Sequence, residues 1–595
     1  MSHYGIIDLD ELAAAGNNKH WGTEATIHYV VKNQKIYTKR LGKITDFKMF
    51  RFPRVEGGAD DGTVGFLVAE GLQVSAKTAH PEAAALVASL NVSDDMALAD
   101  AEMRGSLISN AAKIDQMKDA PHWFTFYVND IVSSYSYDKG IIDKNLNGYN
   151  YGDSLIIKVH YSGKADDGLI IGNNVHGNRT IFVDNWPNRT RFWLPSIDHP
   201  SDKATVTYKI HAPKKWKVIA NGYSWGKPTK TINNAIGPKE DRLTWSWKVN
   251  VPIPTYNMVV GAADLEIRTV GLAACGNAPA SMREDGCIEV TYWVYPEDIE
   301  NAKKSFKRAD KMVDYFTNLI GPFPYEKLAN VQTSTRFGGM ENASAIFYSE
   351  KGIADGRNIE GTVSHEIAHQ WFGDAVTEEN WHHLWLSEGF ATYFGALFFE
   401  NADGKESFDK KMKSSLNRVI NSKVSNRPII DYEQKDLFKL LNSNNYPKGG
   451  WVLHMLRGYL GDKIFFEGIR EYYKTYIHKS VLTEQFQRIM EDVSGESLDW
   501  FFEQWIFKPG YPRFLYEEDW EIKSGSKETL NIKITQVQKK EWPIFEIPTE
   551  ICWYNDCREI NLGKNVNTFK FDFDQKPLVK GTIDPKGWIL KEIVN

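Results

Sequence analysis

Hydrophobic and polar residues alternate in three textures along this chain. From about His122 to Asp264 the period is two: Leu155, Ile157 and Val159 alternate with mostly polar partners, as do Val206, Tyr208 and Ile210, and turns such as Ala220-Asn221-Gly222 separate the runs. That pattern predicts strands and a β-rich domain. Further strand signals run from Leu265 to Phe347, interrupted by a helical stretch from Ala302 to Leu319 that stops before Gly321-Pro322. From Asn358 to about Trp505 the period lengthens to that of a helix. Ile359, Val363, Ile367, Ala368, Trp371 and Phe372 share one apolar face that no proline interrupts. Later helices are expected after Lys448 (Trp451 to Leu460), from Asp462 to Ile477, and from an N-cap at Thr483 to a stop near Gly495. Past Pro509-Gly510-Tyr511-Pro512, which reads as a linker, Leu530, Ile532 and Ile534 restore the period of two and predict a small β-sandwich-like module.

The first 118 residues fit none of these textures well. Tyr29 to Lys39 reads as a strand, but from Phe50 a glycine-rich loop leads to an alanine-rich helix capped around Thr78 and Pro81. The expected layout is therefore a multidomain α+β chain: an atypical segment over 1–118, inserted or foreign to the rest, a β-domain over 119–264, a mostly helical domain over 265–510 and a β module over 511–595.

With 595 residues there is room for several cores, and a net charge of −6 spread without acidic or basic tails gives no footprint for nucleic acid or an anionic membrane. No apolar run approaches the ~18 residues of a membrane helix, and the start, MSHYGIIDLDELAAAG, lacks the basic-then-apolar pattern of a secretory signal. Taken at face value this predicts a soluble, cytoplasmic protein with no obligate protein partner, and a periplasmic or secreted one if the native start lies elsewhere. Cys275 with Cys287, and Cys552 with Cys557, are close enough in sequence for two disulfides, and four free buried thiols are the alternative.

Chemistry concentrates between Ser364 and Glu388, SHEIAHQWFGDAVTEENWHHLWLSE. His365, Glu366 and His369 spell H-E-x-x-H, which puts two imidazoles on one helical face with a carboxylate about 100° round the axis. The histidine spacing suits zinc, and Glu366 suits a general base beside the open coordination position. Catalytic zinc takes three protein ligands, and Glu388, on a second helix expected to begin near His382, fits the third place. Chance alone gives on the order of 0.02 such motifs in a chain of this size, so helical context and the later carboxylate matter. A closed structural zinc site would favour four Cys or His ligands.

The run HEIAHQWFGDAVT, followed by WLSEGFATYF, resembles the zinc aminopeptidase family of the gluzincins, which includes alanyl aminopeptidases and leukotriene hydrolase. Gly338-Gly339-Met340-Glu341-Asn342 is similar to that family's G-x-M-E-N signature, and Tyr446-Pro447-Lys448-Gly449 to its Y-x-K-G motif. The resemblance extends over roughly Gly163 to Pro512. It implies a thermolysin-like catalytic domain holding one zinc ion on His365, His369 and Glu388, with zinc-activated water, Glu366 as general base and Tyr446 stabilising the oxyanion. It also implies that Glu341 pairs with the free α-ammonium of a peptide while Gly338, Gly339, Met340 and Asn342 line the substrate. A second amine anchor is expected five residues before Arg191, where Trp186 stands, leaving Asp184 or Asn185 as substitutes. His382 and His383 fall outside the ligand spacing and read as surface residues or neighbours of the ligands. The large C-terminal helical domain of many relatives has no counterpart. Besides a peptidase, the motifs admit an epoxide-hydrolysing relative of the leukotriene hydrolase type and a catalytically silent peptide-binding relative. A weaker resemblance, from Phe50 to about Leu98, is to a fragment of a bacterial sugar-transport solute-binding protein, too short for a two-lobed sugar site.

Overall fold

The structure, a computed structural model, describes residues 165–230, 242–522 and 528–594, together with the backbone of strands between Ser2 and Gly163. Strands and helices segregate along the chain as an α+β architecture. The chain divides into two compact units, Met1–Asp310 with Phe323–Val363, and Lys311–Pro322 with Ser364–Asn595.

The first unit is built mainly of sheet. Strand Lys203–Pro213 carries the expected alternation, with Ala204, Val206, Tyr208, Ile210 and Ala212 buried between more exposed neighbours. It pairs antiparallel with Arg242–Lys248 on one side and parallel with Ser2–Asp8 on the other. Ser2–Asp8 in turn pairs with Gly22–Val30, and that strand with Ser154–Gly163. Strands from the opening of the chain thus belong to the large sheet, whereas the expected glycine-rich loop and alanine-rich helix between Phe50 and Leu98 lie outside the described residues. So does the expected strand beyond Val30; the strand that forms there is Gly22–Val30.

A five-stranded sheet follows, in the order Glu266–Ala273, Ile288–Val294, Leu328–Thr333, Ala345–Ser349, Gly339–Met340. Gly339 pairs with Tyr348 and Met340 with Phe347, so the G-x-M-E-N stretch forms an outer strand of this sheet. The helix expected over Ala302–Leu319 is two helices, α1 (Ile299–Phe306) and α2 (Ala309–Leu319). The break falls where Arg308 makes a two-pronged ion pair with Glu360, at 2.5 and 2.8 Å. Helix α3 (Glu350–Ala354) continues directly from the strand Ala345–Ser349.

Helix α4 (Glu360–His369), whose residues from Ser364 on belong to the second unit, leads through a short loop and a three-residue strand to α5 (Trp385–Asp403), with α6 (Lys405–Ile420), α7 (Gly449–Tyr476), α8 (Thr483–Ser494) and α9 (Asp499–Trp505) after it. Rings of Phe372, Phe390, Phe394, Tyr472 and Phe486 meet at centroid distances of 4.8 to 6.3 Å and join α5, α7 and α8 into one core. Truncating one such ring to alanine costs about 3–5 kcal/mol.

The two helices expected either side of Gly461 are the two arms of α7, which is kinked at Gly461, a residue outside helical geometry at φ 77° and ψ 157°. One expectation needs correction here. Thr483 is the first residue of α8 rather than its cap. The backbone N–H of Leu482, before it, donates to Gln485 Oε1 at 2.6 Å, and the Thr483 hydroxyl instead accepts from Trp385 Nε1 at 2.8 Å.

The last strands form a four-stranded sheet, Val566–Phe573, Glu528–Gln536, Arg513–Ile522, Glu592–Val594, and a three-stranded one, Asp556–Asn561, Pro548–Trp553, Thr582–Ile583. Cys552 and Cys557 face each other in the hairpin of the second sheet and are disulfide-bonded, as are Cys275 and Cys287 in the first unit. Among the described residues no helix is long and apolar enough to cross a membrane.

Candidate active site

The two histidines of α4 point their Nε2 atoms at the Glu388 carboxylate in the first turn of α5. The three atoms form a near-equilateral triangle: His365 Nε2 to Glu388 Oε2 3.1 Å, His369 Nε2 to Glu388 Oε2 3.2 Å, and His365 Nε2 to His369 Nε2 3.1 Å. Glycine permits this approach. A Cβ on Gly395 of α5 would stand 3.2 Å from the backbone nitrogen of His365, and the Ser364 hydroxyl donates to the Gly395 carbonyl at 3.1 Å. A Cβ on Gly389 would stand 2.9 Å from the Gly449 backbone, so α5 and the start of α7 meet main chain to main chain beside Glu388.

The other ring nitrogens are fixed by the chain itself. His369 Nδ1 faces the Phe372 carbonyl at 3.0 Å and the Ser387 hydroxyl at 3.1 Å, while His365 bonds to the backbone of Ala391. These contacts orient the two rings so that both Nε2 atoms face the centre of the triangle. Burial pushes the His365 imidazole below its ordinary value, against the pull of Glu388, which favours the neutral ring. For Glu388 burial acts to raise the carboxyl, but His369 and His365 overcome it and hold the group well below the usual carboxylate range. Two imidazole nitrogens and a carboxylate oxygen therefore converge on one point, an arrangement suited to sharing a cation. A tetrahedral ion with ligands at 2.0–2.1 Å has ligand-to-ligand edges of about 3.3 Å, close to those observed. The donor set thus fits a divalent metal of the N/O-binding kind.

Around this triangle, Glu366 is buried, with a carboxylate oxygen within 4.8 Å of a His369 ring nitrogen. Tyr446 stands in a wide helical turn, Asn444–Lys448, that runs into α7, and its hydroxyl donates to Glu388 Oε1 at 2.7 Å with its ring stacked on His365 at 5.9 Å. All five residues placed here by spacing and motif, His365, Glu366, His369, Glu388 and Tyr446, come together in the second unit.

Gly338, Gly339, Met340, Glu341 and Asn342 stand in the first unit, on and after the outer strand Gly339–Met340. Glu341 is buried and accepts a hydrogen bond from the Tyr256 hydroxyl at 3.2 Å. A Cβ on Gly338 would meet nothing within 4 Å, so no neighbouring atom requires glycine there. The residues considered as a second amine anchor are engaged elsewhere. Asp184 is paired with Arg189 at 2.9 Å and Arg336 at 3.1 Å. Asn185 donates to the carbonyls of Tyr256 and Met258 and accepts from Trp193 Nε1. His383 is a correction: it is fully buried, bonded to the Thr483 hydroxyl at 2.9 Å and the Tyr432 hydroxyl at 2.8 Å, where it braces the approach to α5. His382, partly buried, reaches the Gln434 carbonyl. Sequence reasoning missed Tyr256 and Ser387. Ser387 was readable as the neighbour of Glu388, but no spacing links Tyr256 to Glu341, 85 residues away.

A buried two-histidine, one-carboxylate centre carried on two helices, with a carboxylate and a phenol beside it, defines a class of metallopeptidase-like sites, and the comparisons narrow it. Residues 304–505 match the Peptidase family M1 domain, so the stretch that carries the site is similar to that peptidase family. Curated relatives include Probable aminopeptidase 2 of Sulfurisphaera tokodaii, 25% identical over 67% of this chain and 53% of that protein. Another is Leukotriene A-4 hydrolase of Xenopus laevis, 26% identical over 54% of this chain and 51% of that protein. The chain spans about half the length of these relatives. Among solved structures, the fold is similar to an M1 zinc metallopeptidase from Deinococcus radiodurans, with a TM-score of 0.59 at 19% identity over 86% of this chain and 93% of that one. A two-domain M1 zinc metallopeptidase bound to L-tryptophan gives a TM-score of 0.61 at 18% identity over 86% and 95%.

Proposed function

We propose that this protein is a zinc aminopeptidase that removes N-terminal residues from peptides with a free α-amine. The observation that carries the reading is the close triangle of His365, His369 and Glu388, with Glu366 and Tyr446 beside it. Support also comes from the relatives, several of which are named aminopeptidases. His365, His369 and Glu388 hold one zinc ion, which when bound supplies a Lewis acid and water acidic enough to ionise near neutral pH.

The chain's own residues do the rest. Glu366 takes the proton from the attacking water and delivers it to the departing amine. Tyr446, whose hydroxyl rests on Glu388, donates to the oxyanion that develops on the scissile carbonyl. Glu341 receives the substrate ammonium, because a buried carboxylate is stabilised by a cation that arrives with its own charge. Gly338, with open space where a Cβ would stand, and Gly339, which carries no side chain, take the substrate backbone beside the outer strand, with Met340 and Asn342 flanking it.

Metal analysis combined with turnover of aminoacyl anilides tests the reading. About one zinc per chain is expected, with activity lost on chelation and restored by zinc; full activity in metal-free protein would refute it. The exopeptidase half is tested with a peptide and its N-acetyl form. Preference for the free amine of up to ~10⁴ is expected, since a site built on a buried polar partner rejects substrates that lack it.

A further inference from the structure

The Glu341 loop raises a mechanical problem. Amine recognition needs a carboxylate held within a fraction of an ångström, yet Glu341 follows an outer strand only two residues long. The residues just after it are bolted down from far away in the sequence. Asn221 Nδ2 donates to the Ala343 carbonyl at 2.7 Å, and its Oδ1 accepts from the backbone of Val259 at 2.6 Å. The Gly222 N–H donates to Ser344 Oγ at 2.7 Å. Lys327, with its amine buried, donates to the Ala220 and Ser344 carbonyls, each at 3.0 Å, and to Ser344 Oγ at 3.3 Å, while lying 5.1 Å over the Trp247 ring. Ser344 takes φ +64°, a left-handed conformation uncommon for a non-glycine residue, and this turn sends the chain from Glu341 back into the strand Ala345–Ser349. Ahead of the strand, Arg336 is tied to Asp184. On Glu341 itself sits the Tyr256 hydroxyl.

A half-buried lysine whose donors go to main-chain carbonyls and one hydroxyl is an expensive way to close an ordinary loop. Burial drives that amine down to about 7, and loop closure alone needs only a glycine at position 344. What the arrangement supplies is rigidity at one point, the step from Asn342 to Ser344 that follows Glu341 in the chain.

We propose that Tyr256, Asn221, Lys327 and Ser344 are positioning residues for N-terminal recognition, Tyr256 by orienting the Glu341 carboxylate and the other three by locking the turn that carries it. This rests on the aminopeptidase reading above. The hydroxyl of Tyr256 directs one carboxylate oxygen, which leaves the other aimed by the loop, and in this chain that takes the place of a second carboxylate or amide anchor.

Three single variants of the full-length zinc enzyme test the proposal: Tyr256→Phe, which removes only the hydroxyl; Ser344→Gly, which keeps the left-handed turn but deletes Oγ; and Lys327→Met, which keeps the apolar stem but deletes the donors. For each, kcat and KM are measured on a free peptide and on its N-acetyl form, with zinc content and the inhibition constant of a free amino-acid amide. The expected result is a KM for the free peptide and an inhibition constant for the amide raised about 10-fold or more in Tyr256→Phe, and raised to a smaller extent in Ser344→Gly. Both keep full zinc and show little change in kcat, and free-over-acetyl preference falls in proportion. Lys327→Met follows the same pattern if it folds; the other two variants decide the matter if it does not. Unchanged KM, amide inhibition and preference in both Tyr256→Phe and Ser344→Gly overturn the proposal, as does a loss confined to kcat. If the unaltered enzyme shows no free-amine preference, the aminopeptidase reading fails first; if it shows the preference and the variants keep it, only the positioning role is lost.

Discussion

The metal centre and the Glu341 loop are held in opposite ways. At the centre, five residues come from two helices and one turn, with His365 and His369 a single helical turn apart and each ring fixed by main chain close by. At the loop, the parts come from Asn221, Tyr256, Lys327 and Ser344, and the bond from Asn221 to Ala343 spans 122 residues. The centre is a product of helix periodicity; the loop is a product of tertiary assembly. On the function proposed above the two regions divide the labour as well, one carrying the bond-breaking chemistry and the other deciding which end of a peptide is accepted.

The strongest way to sharpen that division is Glu366→Gln. The amide cannot take a proton, so turnover falls by ~10² to 10⁴ with zinc retained and free-over-acetyl preference preserved. Near-native turnover by this variant, read with aminoacyl anilides, would send the search for the base elsewhere. Tyr446→Phe comes next. Loss of one oxyanion donor lowers kcat by about 10² to 10³ while KM moves little, and an equal effect on both constants would argue that Tyr446 binds the ground state instead. Its hydroxyl also touches Glu388 at 2.7 Å, so zinc content must be measured alongside.

A smaller effect is expected from Ser387→Ala, which removes the hydroxyl 3.1 Å from His369 Nδ1 but leaves the Phe372 carbonyl in place. Outer partners of ligating histidines typically govern 10 to 100-fold in metal affinity, and with one of two partners kept the loss is expected near ~10-fold, read by competition with a zinc chelator. Unaltered affinity would assign the ring's orientation to the carbonyl alone.

The smallest effect is on stability and concerns pH. Burial holds His383 and His454 down to about 3, against 6.5 for the free side chain. Between those values the unfolded chain binds protons that the folded chain excludes, so stability is full above pH 6.5 and declines as pH falls toward 3. Urea unfolding at pH 7 and pH 5 should show a lower midpoint at pH 5. His383→Gln should reduce the difference, and a midpoint independent of pH in the parent would contradict the burial of these rings.

Much of the metal centre was legible before any coordinates. H-E-x-x-H sets the two proposed histidine ligands on one face by helix geometry alone, and the proposal of Glu388 followed from needing a third ligand on a helix one loop away. The strand alternation of Lys203–Pro213 and the left-handed stop at Gly495 were legible for the same reason, that their cause is local. Where packing decides, sequence reading went astray. Thr483 looked like a cap because its type favours caps, but its hydroxyl is claimed by Trp385 and His383 from about 100 positions away. His383 looked peripheral because nothing in a histidine's spacing reports burial.

What the sequence by itself determined about this protein is therefore the geometry that repeats every few residues: the histidine face of α4, the carboxylate of Glu366 beside it, and the alternating strands. What only the tertiary structure decided is how distant groups share one polar atom: Tyr256 on Glu341, Asp184 between two arginines, Asn221 and Lys327 on the turn at Ser344. The physical reason is range. Periodicity is written into neighbouring residues by backbone geometry, whereas a buried hydrogen bond between residues a hundred positions apart exists only once the sheets have packed and excluded the water that would otherwise satisfy it.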